Sequence, residues 1–189
     1  MTPLHTAPLG KPGRILLLVM LVLLPAGEIQ GQPQAGSEYQ VKAAFIYHFA
    51  RFTQWPDRAF PEPDSPLVLC LIASDPDADI LLALGGKAVR DRRLVVRKLT
   101  TEADIPGCHI LYLATKDAET IRRGLALARD HSILTVGETA GFIRLGGIIN
   151  FFEREQQLRF AVNLDAAEAA NLKFSSQLLM SAEIVQEGP

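Results

Sequence analysis

The sequence predicts an α/β fold: a mostly parallel central sheet, helices on both faces, and a late antiparallel hairpin. Three observations carry this. Short unbroken apolar runs ("LVLCLIA", 67–73; "CHILYLA", 108–114; "SILTVG", 132–137) read as strands buried on both sides. Amphipathic stretches lie between them, and strands that alternate with helices imply parallel pairing. Near the end, the polar "EREQQ" divides "GGIINFFEREQQLRFAVNL" (146–164) into two strands joined as a hairpin.

Taken in chain order, the first element is a leader. Lys11 and Arg14 precede "ILLLVMLVLLPA" (15–26), an apolar run without charge, followed by small and polar residues. This is the layout of a secretory signal, expected over 1–27, and the run is short of the roughly 20 residues a spanning helix needs. No clean Ala-x-Ala marks the cleavage point, so an uncleaved, tethered form stays open. Residues 28–37 read as a flexible lead-in, and 38–186 as one α/β domain. A helix is expected from Glu38 to Thr53, capped by Ser37, with Val41, Ala44, Phe45, His48, Phe49 and Phe52 on its apolar face. Pro56 stops it.

A short helix follows the first strand over Pro76–Leu84, ended by Gly85-Gly86. "RRLVVRKL" (92–99) reads as a more exposed strand and "KDAETIRRGLALARD" (116–130) as a second amphipathic helix. From Asp165 to Val185 the pattern is helical, with a break near 173–175.

At 189 residues and 48% hydrophobic, the chain is long enough for one well-cored domain. Its formal charge is −2; two of the 19 basic residues lie in the leader, which leaves 17 against 21 acidic ones, or −4. That balance offers nothing to nucleic acid, which asks for a strongly basic face.

Chemistry-bearing motifs are few. No G-x-S-x-G elbow is present, and Ser175-Ser176 have no base nearby in sequence. A hydrolase would have to recruit His48, His109 or His131 from a distance. The histidines lack metal-ligand spacing, and Cys108-His109 would point to opposite faces of a strand, so neither a metal nor a cofactor is expected. "GETAGFIRLGG" (137–147) and "LGGK" (84–87) match no phosphate-binding loop and suit turns that need positive φ. Asp75 and Lys116 follow strands as in a phosphoacceptor receiver, but an exported protein meets no ATP-driven kinase. The basic run "KAVRDRRLVVRK" (87–98) suits the solvated side of an edge strand, or a dock for an acidic partner. Cys70 and Cys108 favour a disulfide in an oxidising compartment; two separate buried thiols are the alternative.

Several segments together resemble one family. "YQVKAAFIYHFARFTQWP" is similar to the opening helix of YfiR/HmsC-type periplasmic proteins, with its V-K-A-A-F-x-Y-x-F-x-x-F-x-x-W-P pattern. "GKAVRDRRLVVRKL", "CHILYL", "ILTVGE…GFIRLGGIINFF", "LRFAVNLDAA" and "LKFSSQLLMSA" follow in the family's order, from about Tyr39 to Val185. The resemblance implies a regulator rather than an enzyme: an exported protein that restrains an inner-membrane diguanylate cyclase through the cyclase's periplasmic domain. Cyclic di-GMP and biofilm output then fall. It also implies a homodimer, an outer-membrane lipoprotein as a further partner, and a Cys70–Cys108 pair. Better-known members have a second cysteine pair near the glycine-rich segment; Gly141 to Phe152 has none here.

Phe45, Phe49 and Phe52 are expected to be core. Tyr47 and Trp55 fall off that stripe and are candidates for a partner surface, with Arg92 and Arg93. A second reading, a small-ligand sensor, places a pocket at the carboxyl ends of the strands, with His109, Glu138 and Asn150 as candidates.

Overall fold

The structure, a computed structural model, describes residues 35–186; the leader expected over 1–27 lies outside them. The elements are α1 (Ala35–Phe52), β1 (Thr53–Gln54), β2 (Leu67–Ala73), β3 (Ala88–Val89), β4 (Arg92–Lys98), β5 (Ile110–Ala114), α2 (Ala118–Ala128), β6 (Leu134–Gly137), β7 (Ile149–Arg154), β8 (Gln157–Asn163), α3 (Leu164–Ala169), β9 (Lys173–Phe174), α4 (Ser176–Leu179) and β10 (Glu183–Val185). Short 3₁₀ helices fill Pro76–Leu84 and Glu102–Gly107. Asp75 caps the first by accepting the Asp77 amide at 2.9 Å, and Asp117 caps α2 by accepting from Thr120 at 2.9 Å.

The main sheet has eight strands in the order β10-β8-β7-β6-β5-β2-β4-β3. Five of them, β4, β2, β5, β6 and β7, run parallel; β7 and β8 form the antiparallel hairpin. The two-residue hairpin tip, Glu155-Gln156, has φ of 52° and 58°, the double left-handed geometry that matches the twist of paired strands.

Alternation along each strand divides the core. Leu67, Leu69 and Leu71 of β2, with Ile110 and Tyr112 of β5, face α1 and the Pro76–Leu84 helix. Val68 and Cys70, with Leu111 and Leu113, face α2 and Ile105. Helices therefore cover both faces, as expected. A period of two explains why these runs are apolar throughout: each residue meets a helix on one side or the other. The Cys70–Cys108 disulfide lies in the second layer and ties β2 to the start of β5.

Three expectations need correction. First, α1 begins at Ala35, so Ser37 is inside it and the lead-in is shorter than expected. Its buried side is Tyr39, Lys42, Ala43, Ile46, Phe49 and Ala50, a face rotated from the aromatic stripe; Val41 is 46% exposed. Phe45 and Phe52 are half-buried, and Phe45 packs on Phe151 and Phe160 with ring centroids 6.0 and 5.5 Å apart. Second, the stretch 165–185 is not one broken helix. Asn171 adopts φ 57°, which ends α3, and Lys173–Phe174 pairs antiparallel with β1. After α4 the chain returns as β10 beside β8. Third, Gly137 and Gly147 do not serve turns: a Cβ on either would clash with the Phe142 ring, which they flank. Gly86, Gly141 and Gly146 do take positive φ.

Candidate functional site

From β2 the chain crosses to β4 on one side, then back to β5 on the other. Strand order thus reverses between β2 and β5, and open α/β sheets leave a crevice at the carboxyl ends of such strands. The chain leaving β2 and β5 is joined there: the Ser74 hydroxyl donates to Thr115 Oγ1 at 3.1 Å, and the Ser74 amide to the Ala114 carbonyl at 3.1 Å.

Beside this crevice lies a cavity of about 810 Å³, within the range of small-molecule sites. The start of α1 contributes Glu38, Tyr39, Val41 and Lys42, and the strand ends contribute Asp75, Lys116, Glu138 and Thr139. The β7–β8 hairpin closes one side with Phe151, Phe152, Glu153 and Leu158.

A hydrogen-bonded cluster forms one part of the lining. Lys42 Nζ lies 2.7 Å from Glu38 Oε1 and 2.6 Å from Glu138 Oε2, with its side chain only 6% exposed. The Tyr112 hydroxyl donates to the same Glu138 oxygen at 2.7 Å, and the Tyr39 hydroxyl to Asp75 Oδ2 at 3.2 Å. The Tyr39 ring also faces the Lys42 ammonium, 4.6 Å from its centroid. Burial lowers the Lys42 pKa, but the bonds to Glu138 and Glu38 outweigh it and the net shift is upward. Tyr39 and Tyr112 are both pushed well above the usual phenol range, first by burial and then by the charge of Glu138.

Of the three pocket residues expected from sequence, only Glu138 lines this cavity. His109 precedes β5 and is at the amino end of the sheet. There its Nδ1 accepts the Val68 amide at 3.1 Å, its Nε2 donates to the Ala59 carbonyl at 3.0 Å, and its ring stacks on Phe60. Burial holds its pKa down, and the Arg92 charge adds to this while the Ala59 bond opposes it. Asn150 is inside β7, opposite Gly137 and Ala161, and its Oδ1 is buried without a hydrogen-bond partner.

The expected partner-surface residues separate similarly. Tyr47 is half-buried, and its hydroxyl donates to the Ala88 carbonyl at 2.6 Å. Trp55 is half-buried with its indole N–H on the His109 carbonyl at 3.3 Å. Arg92 is pinned by the Ser65 carbonyl at 2.6 Å and lies 3.7 Å over the Phe60 ring. All three keep part of their surface open while holding a backbone or ring partner that the sequence pattern does not reveal. Arg93 is exposed on β4. Among the described residues the other two histidines stand apart from any such cluster: His48 packs on Phe52, and His131 Nδ1 meets the Leu127 carbonyl.

Sequence reasoning found Asp75 and Lys116 but set them aside, and it missed Tyr39 and Lys42. The available signal was Glu38 four residues before a lysine on a helix whose next turns are apolar. Among the described residues no helix is long and apolar enough to cross a membrane.

Among solved structures, the chain is similar to a conserved domain protein from Vibrio cholerae O1 biovar El Tor, with 11% identity and a TM-score of 0.49, over 77% of this chain and 60% of that one. It is also similar to the ABC domain, in complex with L-Trp, from Streptococcus pneumonia, with 9% identity and a TM-score of 0.47, over 64% of this chain and 55% of that one. The chain thus spans less than two thirds of the length of either structure. No curated protein matches it. The family model described as YfiR/HmsC-like matches residues 39–183, from the first turns of α1 into β10. The chain belongs to the YfiR/HmsC-like family.

Proposed function

We propose that this protein is a periplasmic regulatory binding protein, without catalytic activity, that represses an inner-membrane diguanylate cyclase by binding its periplasmic domain. Cyclic di-GMP and biofilm formation fall as a result. The observation that carries this reading is the family match, which runs through the whole sheet rather than one motif. The disulfide between β2 and the residues just before β5 supports residence in an oxidising compartment. A homodimer and an outer-membrane lipoprotein partner belong to the same reading. Arg93, exposed on the basic β4, is its best-placed contact for an acidic partner surface.

The test is co-purification of the protein with candidate cyclases from detergent-solubilised inner membranes of its own bacterium. Retention of a diguanylate cyclase, weakened by Arg93→Glu, supports the reading. Retention of none counts against it.

One observation favours a second reading, a small-ligand sensor: the cavity at the carboxyl ends of the parallel strands. The two readings are compatible if a ligand biases partner binding.

A further inference from the structure

The charges around the cavity indicate what kind of molecule would occupy it. Four carboxylates line it, those of Glu38, Asp75, Glu138 and Glu153, against the two ammonium groups of Lys42 and Lys116. Lys42 is already engaged, since Glu38 and Glu138 hold its Nζ at 2.7 and 2.6 Å. Asp75 accepts only from uncharged donors, the Tyr39 hydroxyl at 3.2 Å and the Asp77 amide at 2.9 Å. Among the described residues no cation pairs with Asp75 or with Glu153, which is exposed on β7. Two carboxylates thus face the space with only Lys116 to offset them. An anionic guest would find one unengaged ammonium, Lys116, beside two unpaired carboxylates.

Apart from Thr139 and Gln156, the rest of the lining is apolar or aromatic. Val41 is 46% exposed here although it lies on a helix whose neighbouring turns are packed, and Phe152 and Leu158 of the hairpin are half-buried. A hydrocarbon body laid against them would bury surface that the protein leaves open.

We infer that the cavity binds a small organic ammonium compound, a primary amine or diamine on an apolar skeleton. Asp75 and Glu153 supply its counter-charges, and Val41, Phe152 and Leu158 meet its carbon atoms. This rests on the ligand-sensor reading and adds the class of ligand. The same lining holds an internal precedent, because Lys42 is itself an ammonium held by two carboxylates and a tyrosine face.

The experiment is an amide chemical-shift titration of the purified protein with phenethylamine, with cadaverine, and with phenylacetate as the anionic counterpart. The amines are expected to shift the amides of Asp75, Glu138 to Ala140 and Glu153, and phenylacetate to leave them in place. Glu153→Gln should weaken amine binding about threefold to fivefold, as for an exposed ion pair. Asp75→Asn should weaken it about tenfold. Glu153 is exposed, so its replacement leaves folding intact, and an unchanged melting temperature verifies this.

Amine binding indifferent to both substitutions would overturn the inference. So would phenylacetate binding in place of the amines, although the ligand-sensor reading would then survive. If none of the three compounds binds, the amine site falls. The ligand-sensor reading falls with it only if a thermal-shift screen of uncharged and anionic compounds also finds nothing.

Discussion

Lys42 Nζ and Glu138 Oε2 are 2.6 Å apart and join the first helix to the carboxyl end of β6, 96 residues later in the chain. Lys42 is almost fully covered, and Glu138 keeps 24% of its side chain exposed. Removing the ammonium strands a largely covered carboxylate that also holds the Tyr112 hydroxyl. Lys42→Met is therefore expected to destabilise the fold by about 2–3 kcal/mol. In a double-mutant cycle with Glu138→Gln, denaturant unfolding should show a coupling above about 1 kcal/mol. Additive effects would mean that the pair is not a structural tie.

The same cluster sets an alkaline limit. Tyr39, Tyr112 and Lys42 all hold their protons more tightly in the folded state than at their ordinary values of 10.0, 10.0 and 10.5. Their contribution is complete below those values and is lost as pH rises above them, because the unfolded chain releases these protons first. Melting temperature should fall as pH rises above about 10, and the phenolate absorbance of Tyr39 and Tyr112 should appear only with unfolding. Phenolates of both forming in the intact fold would contradict this.

His109 gives the opposite dependence. Its Nδ1 accepts the Val68 amide, so a proton there would set two donors against each other. Its folded pKa lies below the ordinary 6.5, so its contribution is present above that value and is lost as pH falls through the folded pKa. A titration of imidazole proton shifts should give His109 a midpoint below 6.5. A midpoint at or above that value would show that the Val68 bond does not hold the ring neutral.

The disulfide spans 38 residues of sequence and ties β2 to the segment that leads into its parallel neighbour β5, in the α2 layer. In the chain-entropy model a loop of that size contributes about 4 kcal/mol. Cys70→Ser should lower the melting temperature by about 10 °C and leave partner binding at permissive temperature unchanged. An unchanged melting temperature with altered partner binding would make the bond a switch rather than a brace.

Much of the fold was legible because parallel strands covered on both sides must be apolar throughout. "LVLCLIA" and the "ILYLA" of the second run could be little else, and the hairpin announced itself by one polar interruption. The stretch 165–185 was misread because β9 and β10 have two and three residues, too few to display a period of two. On α1 the aromatic spacing pulled the expected face toward Phe45 and Phe52, and Lys42, by type a surface residue, was not read as buried. Of the candidate site, Glu138 was legible because it directly follows an apolar strand. His109 was misplaced for a simple reason of direction: a residue before a strand lies at its amino end. The anchoring of Tyr47, Trp55 and Arg92 was not legible because their partners, the Ala88, His109 and Ser65 carbonyls, are backbone atoms with no signature in sequence.

The central claim, repression of a diguanylate cyclase, is tested most directly by measuring cytoplasmic cyclic di-GMP in the source bacterium with the gene deleted and then restored. The account predicts a rise on deletion that restoration reverses. An unchanged level in the deletion strain would contradict it and leave the family fold to serve the ligand-sensing reading instead.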